Sequence, residues 1–187
     1  MKRLEAGVQR CNRCNYVDKP FLEHAVYSWL PEKVRVLAVG ESPPPGKKES
    51  SLYNLNKFDR LRLSLSLILG VEQKEVLDCL KRSGIFFTAS VKCRPPTRKD
   101  LPQMRRNCVP RLIEEIEVLK PSRIVAMGRF AALSIGEIFN IEVPPDLTKL
   151  TSTRCQNFEI FFSPHPNYIF RFGRELCSKV AKILLSK

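Results

Sequence analysis

Short runs of β-branched and aromatic residues alternate along this chain with longer stretches of helical periodicity, and each run stops at a glycine- or proline-rich turn. Val34 to Gly40 reads as a buried strand, followed by helical spacing of apolar residues over Phe58 to Leu69 and Lys74 to Lys81, with Gly70 and Gly84 as stops. Ile85 to Val91 is a second strand, Leu101 to Leu119 a helix closed by Pro121, and Arg123 to Gly128 a third strand. A helix from about Phe130 to Phe139, a strand at Phe158 to Phe162 and a final helix over roughly Tyr168 to Leu185 complete the pattern. Strands that alternate with helices pair in parallel through right-handed crossovers. The expectation is a three-layer α/β/α sandwich around a central, mostly parallel four-stranded sheet. With 187 residues, 43% of them hydrophobic, the chain is read as one domain over 1–187.

In an open parallel sheet a ligand sits beyond the carboxyl ends of the strands, so the segment after each strand is where chemistry belongs. Those segments are Gly40-Glu41-Ser42-Pro43-Pro44-Pro45-Gly46, Lys92-Cys93-Arg94-Pro95-Pro96, Gly128-Arg129-Phe130 and Ser163-Pro164-His165-Pro166-Asn167-Tyr168. All four fall on one edge of the expected sheet, a stronger signal together than any proline-rich turn alone.

Thirty-two Lys and Arg against nineteen Asp and Glu leave a formal charge of +13, a field that attracts a polyanion. Arg94, Arg98, Lys99, Arg105 and Arg106 all lie between Cys93 and Cys108, so a fold that fixes this loop fixes a basic surface. The start, Met1-Lys2-Arg3-Leu4-Glu5, has no apolar signal region, and apolar runs such as Leu63 to Leu69 are short. The chain is therefore read as soluble and intracellular, cytoplasmic and nucleoid-associated, with no membrane partner. A reducing compartment disfavours disulfides, and Cys11-x2-Cys14 with Cys93-x14-Cys108 reads as one metal site built from two distant parts of the chain. Four thiolates suit tetrahedral zinc as well as an iron-sulfur cluster. Cys79, Cys155 and Cys177 are left as buried thiols.

These motifs resemble the uracil-DNA glycosylase superfamily, closest to its iron-sulfur (family 4) branch, over most of the chain from Cys11 to the last helix. Gly40-Glu41 followed by Pro and Gly46 is similar to that branch's Gly-Glu-Ala-Pro-Gly, Val91-Lys92-Cys93-Arg94-Pro95-Pro96 matches its second motif, and His165-Pro166-Asn167-Tyr168-Ile169-Phe170-Arg171 is similar to its His-Pro-x-x-Leu-Leu-Arg. The resemblance implies that Cys11, Cys14, Cys93 and Cys108 hold a structural 4Fe-4S cluster, with zinc as the alternative. It implies a DNA partner carrying a deaminated base, flipped into a pocket for excision. A sliding clamp or other repair proteins are possible partners, and a monomer is the expectation.

Breaking an N-glycosidic bond builds positive charge on the sugar and negative charge on the departing base, which calls for a carboxylate on one side and a donor on the other. Glu41 is the candidate for activating water and stabilising the sugar, and His165 for donating to a base carbonyl. Tyr53 lies close to where the family carries the Phe that stacks on the flipped base. Gly40, Ser42, Ala89, Asn54 and Ser163 complete the candidate substrate contacts. Gly46, Gly128 and Ser163 are candidates for backbone amides or close approach to phosphate. Lys92, Arg94, Arg98, Arg105, Arg129 and Arg171 are the candidate DNA contacts. Tyr168 to Phe170 either form a wedge in the duplex or are buried as the first turn of the last helix.

Two departures bear on substrate. The family's second-motif strand reads Thr-Asn-Val-Val-Lys-Cys, its Asn reading uracil's Watson-Crick edge, but this chain has Thr88-Ala89-Ser90-Val91-Lys92-Cys93. Ala89 has no side-chain donor or acceptor, and strand alternation points Ser90 to the opposite face. The first motif is stiffened by Pro43-Pro44-Pro45 and made basic by Lys47-Lys48. The base is then read by Asn54 or backbone amides, or it is a deaminated base other than uracil, such as hypoxanthine. The other class of function is a metal-stabilised DNA-binding protein of the same fold without excision.

Overall fold

The computed structural model describes residues 2–15, 18–46 and 48–186. Helix α1 (Lys2–Arg10) and the short α2 (Pro20–Glu23) precede β1 (Val36–Gly40). Then come α3 (Arg60–Leu69), α4 (Val76–Arg82), β2 (Ile85–Ala89), α5 (Leu101–Leu119), β3 (Arg123–Met127) and α6 (Arg129–Phe139). The chain closes with β4 (Thr151–Cys155), β5 (Phe158–Ser163), α7 (Pro166–Phe172) and α8 (Cys177–Leu185).

The strands form one sheet in the order β2-β1-β3-β5-β4, parallel except for β4, which runs antiparallel to β5. Every residue of β1 is buried, as expected of a central parallel strand covered on both faces. Local chemistry sets the helix ends. The Asp59 carboxylate accepts from the Arg62 amide to start α3, and Gly70 ends it in the left-handed conformation (φ 67°).

The sheet has five strands, not four. The additional strand, β4, carries the polar sequence Thr-Ser-Thr-Arg-Cys, half-buried in alternation, so it has no apolar run to announce it. It is an edge strand that reaches β5 through a tight turn with Gln156 at φ 54°. The expected long C-terminal helix is broken at Gly173, where α7 ends and a 3₁₀ turn at Arg174–Leu176 leads into α8. Among the described residues no helix is long and apolar enough to cross a membrane.

The chain runs from β1 outward to β2 on one side, then returns to place β3 on the other side of β1. This reversal leaves a crevice between the carboxyl ends of β1 and β3, where ligands of open α/β sheets bind. Glu41 follows β1 and Gly128 follows β3, so the topology delivers both to that crevice.

Candidate active site

A cavity of about 820 Å³ opens at this edge, lined by residues that follow β1, by the 50–53 and 58–61 segments, by the end of β2 and by the His165–Phe172 segment. Glu41 and His165 both line it. The Glu41 carboxylate is 16% exposed, its Oε1 accepting from the Phe130 amide at 3.4 Å and its Oε2 lying 3.6 Å from Nη2 of Arg98.

His165 caps α7, and its Nδ1 accepts from the backbone N–H of Asn167 at 3.1 Å. Nδ1 acts as an acceptor, so in the neutral imidazole the proton sits on Nε2. Burial lowers the His165 pKa from its ordinary value; Glu41 pulls it the other way, and Arg98 adds to the lowering. The ring is thus a neutral donor. The Asn167 side chain is fixed in turn, its Oδ1 accepting from Ser64 Oγ on α3 at 2.8 Å.

Gly128 has φ 96°, and a Cβ there would lie 3.0 Å from Glu41 Oε1 and 3.1 Å from the Cβ of His165. Its bareness lets the carboxylate and the imidazole share the crevice. It is not an amide for phosphate, because its N–H donates to the Ser163 carbonyl at 2.9 Å. Nor is Gly46, whose N–H donates to the Pro95 carbonyl at 3.0 Å.

Tyr53 lines the cavity, and its hydroxyl donates to the Phe87 carbonyl at 2.6 Å, which fixes the ring against the end of β2. Arg62, buried on α3, donates to the carbonyls of Leu52, Asn54 and Lys57, so the loop carrying Tyr53 is held from beneath. Gly40, Ser42 and Ala89 line the cavity. Asn54 does not: its amide donates to the Glu49 carbonyl and its Oδ1 accepts from the Asn56 amide, a local turn. Ser163 is fully buried in β5, its hydroxyl donating to the Pro164 carbonyl, so it too is no substrate contact.

The expected cationic contacts divide. Arg98 and Arg171 are exposed on the cavity rim, and Arg129 is exposed at the start of α6. Lys92, Arg94 and Arg105 are not available to DNA. Lys92 is 1% exposed, with Nζ donating to Glu115 Oε2 (2.6 Å), Thr88 Oγ1 (2.7 Å) and the Ala89 carbonyl (2.6 Å). Arg94 is buried against Asp18 (2.7 Å) and the Pro44 carbonyl (2.9 Å), and Arg105 is held by Glu137 at 2.6 Å. A buried cation needs a partner, so these side chains are structural clamps on the loop rather than its outer charge. Tyr168 lines the cavity while Ile169 is fully buried, so the first turn of α7 splits between rim and core. Of the basic pair in the first motif, Lys48 is exposed on the cavity wall and Lys47 lies outside the described residues.

Two structural residues gave little sequence signal. Glu115 sits on the buried face of α5 seven residues beyond Cys108, where only a charge among Leu112 and Ile116 hinted at an internal partner. It accepts from Tyr27 Oη at 2.8 Å as well as from Thr88 and Lys92, forming a closed buried network behind the cavity wall. Asn167 escaped because its contribution is a main-chain N–H.

All seven cysteines are unpaired, so no disulfide competes for Cys11, Cys14, Cys93 and Cys108. Burial pushes the Cys93 thiol up to about 12, with Cys108, Cys14 and Cys11 adding to the rise. Two N–H donors point at this group: the Lys92 amide to Cys108 Sγ at 3.4 Å and Asn107 Nδ2 to Cys14 Sγ at 3.5 Å. Such donors to sulfur are what a thiolate-ligated group requires. Among the described residues no three His, Cys, Asp or Glu side chains converge tightly enough to hold a single metal ion.

A family model described as the uracil DNA glycosylase superfamily matches residues 27–185. Among curated proteins the chain is similar to a type-4 uracil-DNA glycosylase of Pyrobaculum aerophilum, 28% identical over 139 residues, covering 74% of this chain and 65% of that protein. It is similar to proteins of the same description from Archaeoglobus fulgidus, 26% identical over 76% of this chain and 68% of the relative, and from Sulfurisphaera tokodaii, 27% identical over 75% and 61%. The chain therefore spans about two thirds of the length of these relatives.

Proposed function

Because the chain belongs to the uracil-DNA glycosylase superfamily, we propose that it is a monofunctional DNA glycosylase that hydrolyses the N-glycosidic bond of uracil or another deaminated base. The observation that carries this reading is the meeting of the Glu41 carboxylate and the His165 imidazole across Gly128, in a cavity backed by Tyr53.

A nucleotide flipped into this cavity places its base toward Tyr53 and His165 and its sugar toward Glu41. As the bond between C1′ and the base nitrogen breaks, its electron pair leaves with the base, and charge grows on a carbonyl oxygen. The Nε2–H of His165 donates to that oxygen. Glu41 accepts a hydrogen bond from water, whose oxygen forms the new bond to C1′, and its charge stabilises the cationic sugar. The water proton passes to the carboxylate and ends on the departed base. Donors preset toward developing charge are worth about 10²–10³ in rate each.

Ala89 leaves the cavity wall at the end of β2 without a side-chain hydrogen-bonding group, and Asn54 does not replace it. Discrimination between bases rests on such paired polar groups, so selectivity for uracil over other deaminated bases is reduced. Cys11, Cys14, Cys93 and Cys108 would hold a 4Fe-4S cluster, which supplies a structural tie between the N-terminal segment and the loop after β2. The reading places the protein in the cytoplasm on DNA.

Labelled duplexes containing uracil, hypoxanthine or xanthine, incubated with the protein and treated with alkali, should be cleaved at the modified position. Binding without cleavage on all three would replace this reading with a DNA-binding protein that lacks excision.

A further inference from the structure

Among the described residues the large apolar side chains left exposed are Leu55, Phe58, Leu67, Tyr168 and Phe172. Three of these five, Phe58, Tyr168 and Phe172, line the mouth of the active-site cavity. Phe58 is 63% exposed and Phe172 70%, and together with Tyr168 they set three aromatic rings on one rim. They come from two elements locked together: Phe58 precedes α3 by one residue beyond its cap, Phe172 ends α7, and the Ser64–Asn167 hydrogen bond joins the two helices. Phe172 also packs on Tyr168, with ring centroids 5.5 Å apart.

The same rim is basic. Lys48, Arg60 and Arg171 are exposed along it, whereas the acidic groups of the cavity are already engaged, Glu41 by Arg98 and Asp59 as the cap of α3. Aromatic faces open to solvent beside cations that can track a phosphate chain are what an unpaired nucleic-acid strand recognises. A continuous duplex keeps its base faces covered by stacking, so a ring reaches them only by prising a step open, a cost that an unpaired strand does not exact. We propose that Phe58 and Phe172 are stacking platforms for the unpaired nucleotides on either side of the flipped one, and that single-stranded DNA is the form of substrate this rim is built to hold. The proposal rests on the glycosylase reading only in naming the flipped nucleotide.

Fluorescence anisotropy with a lesion-free labelled oligonucleotide of about 12 nucleotides, alone and annealed to its complement, tests it on the full chain. Phe58→Ala and Phe172→Ala should each weaken single-strand binding by about tenfold, leave duplex binding within about twofold, and leave the melting temperature unchanged. Phe58→Trp and Phe172→Trp should bind the single strand at least as tightly as the native protein. Alanine variants that hold the single strand at native affinity, or that lose the duplex in equal measure, would overturn the proposal and mark the rim as a site for another protein. The probe carries no modified base, so absence of excision on modified duplexes would leave this result standing.

Discussion

The backbone N–H of Asn167 donates to Nδ1 of His165 at 3.1 Å, so a main-chain group two residues away decides which imidazole nitrogen faces the cavity with a proton. Protonating Nδ1 would remove the acceptor and set two N–H groups against each other. Burial lowers the His165 pKa in the fold, so between that value and the ordinary histidine range of about 6.5 the unfolded chain binds a proton that the native one does not. The stability from this group is therefore fully present above the unfolded value and is lost as pH falls through the window beneath it. Excision should be flat at neutral pH and decline on acidification with the same titration, and a single-turnover pH profile reads it. His165→Gln should abolish the inflection and reduce the rate by about 10²-fold or more. An inflection that persists in that variant would assign the titration to another group.

Gly128→Ala tests the crevice. The new Cβ would meet Glu41 Oε1 at 3.0 Å and the His165 Cβ at 3.1 Å, at a φ of 96° that side chains rarely adopt. Backbone strain of this kind costs about 1–3 kcal/mol. A displacement of either group by about 1 Å costs roughly 10²-fold in rate. Excision should fall further than the shift in urea midpoint accounts for; a variant with native single-turnover rates would show that Glu41 and His165 do not need to be this close.

Lys92 and Glu115 are 1% and 0% exposed and 2.6 Å apart. Removing one partner strands a buried charge, so Lys92→Met should destabilise the fold by about 3–5 kcal/mol. Lys92→Met with Glu115→Gln should recover most of that loss, because the amide oxygen still accepts from Tyr27 and Thr88 while no charge is left behind. Urea denaturation of the two variants measures the difference. A double variant as unstable as the single one would mean that the contact of the Lys92 ammonium with the Phe21 ring, 5.2 Å from its centroid, rather than the ion pair with Glu115, is what the position supplies.

β1, β2 and β3 are legible as largely buried apolar runs because a parallel sheet is covered on both faces, and β5 is legible by its large apolar residues despite Glu159 and its half-buried positions. β4 is not legible because it has no apolar run: Ser152 and Arg154 are exposed and Thr151, Thr153 and Cys155 only half-buried, whereas β2, the other edge strand, is buried throughout. Glu41 and His165 could be placed from sequence because each follows a strand. Lys92, Arg94 and Arg105 could not, since a basic residue in a loop reads as a surface charge unless its partner is known, and Glu115, Asp18 and Glu137 are distant in sequence. The pairing that decides burial is a tertiary fact.

Cys11 and Cys14 lie just after α1, and Cys93 and Cys108 flank in sequence the loop that carries Arg98, the residue whose guanidinium stands 3.6 Å from Glu41. If these thiols hold a 4Fe-4S cluster, protein purified without oxygen should be brown, with about four iron atoms per chain. Cys93→Ala should lose the colour and lower the melting temperature by roughly 5 to 15 °C, because ligation energy in a structural site is folding energy. Arg98 would then no longer be held beside the carboxylate, so excision should fall in the variant even well below its melting temperature. A colourless preparation containing one zinc per chain would assign the site to zinc. Native stability in Cys93→Ala would remove any structural role for the four sulfurs.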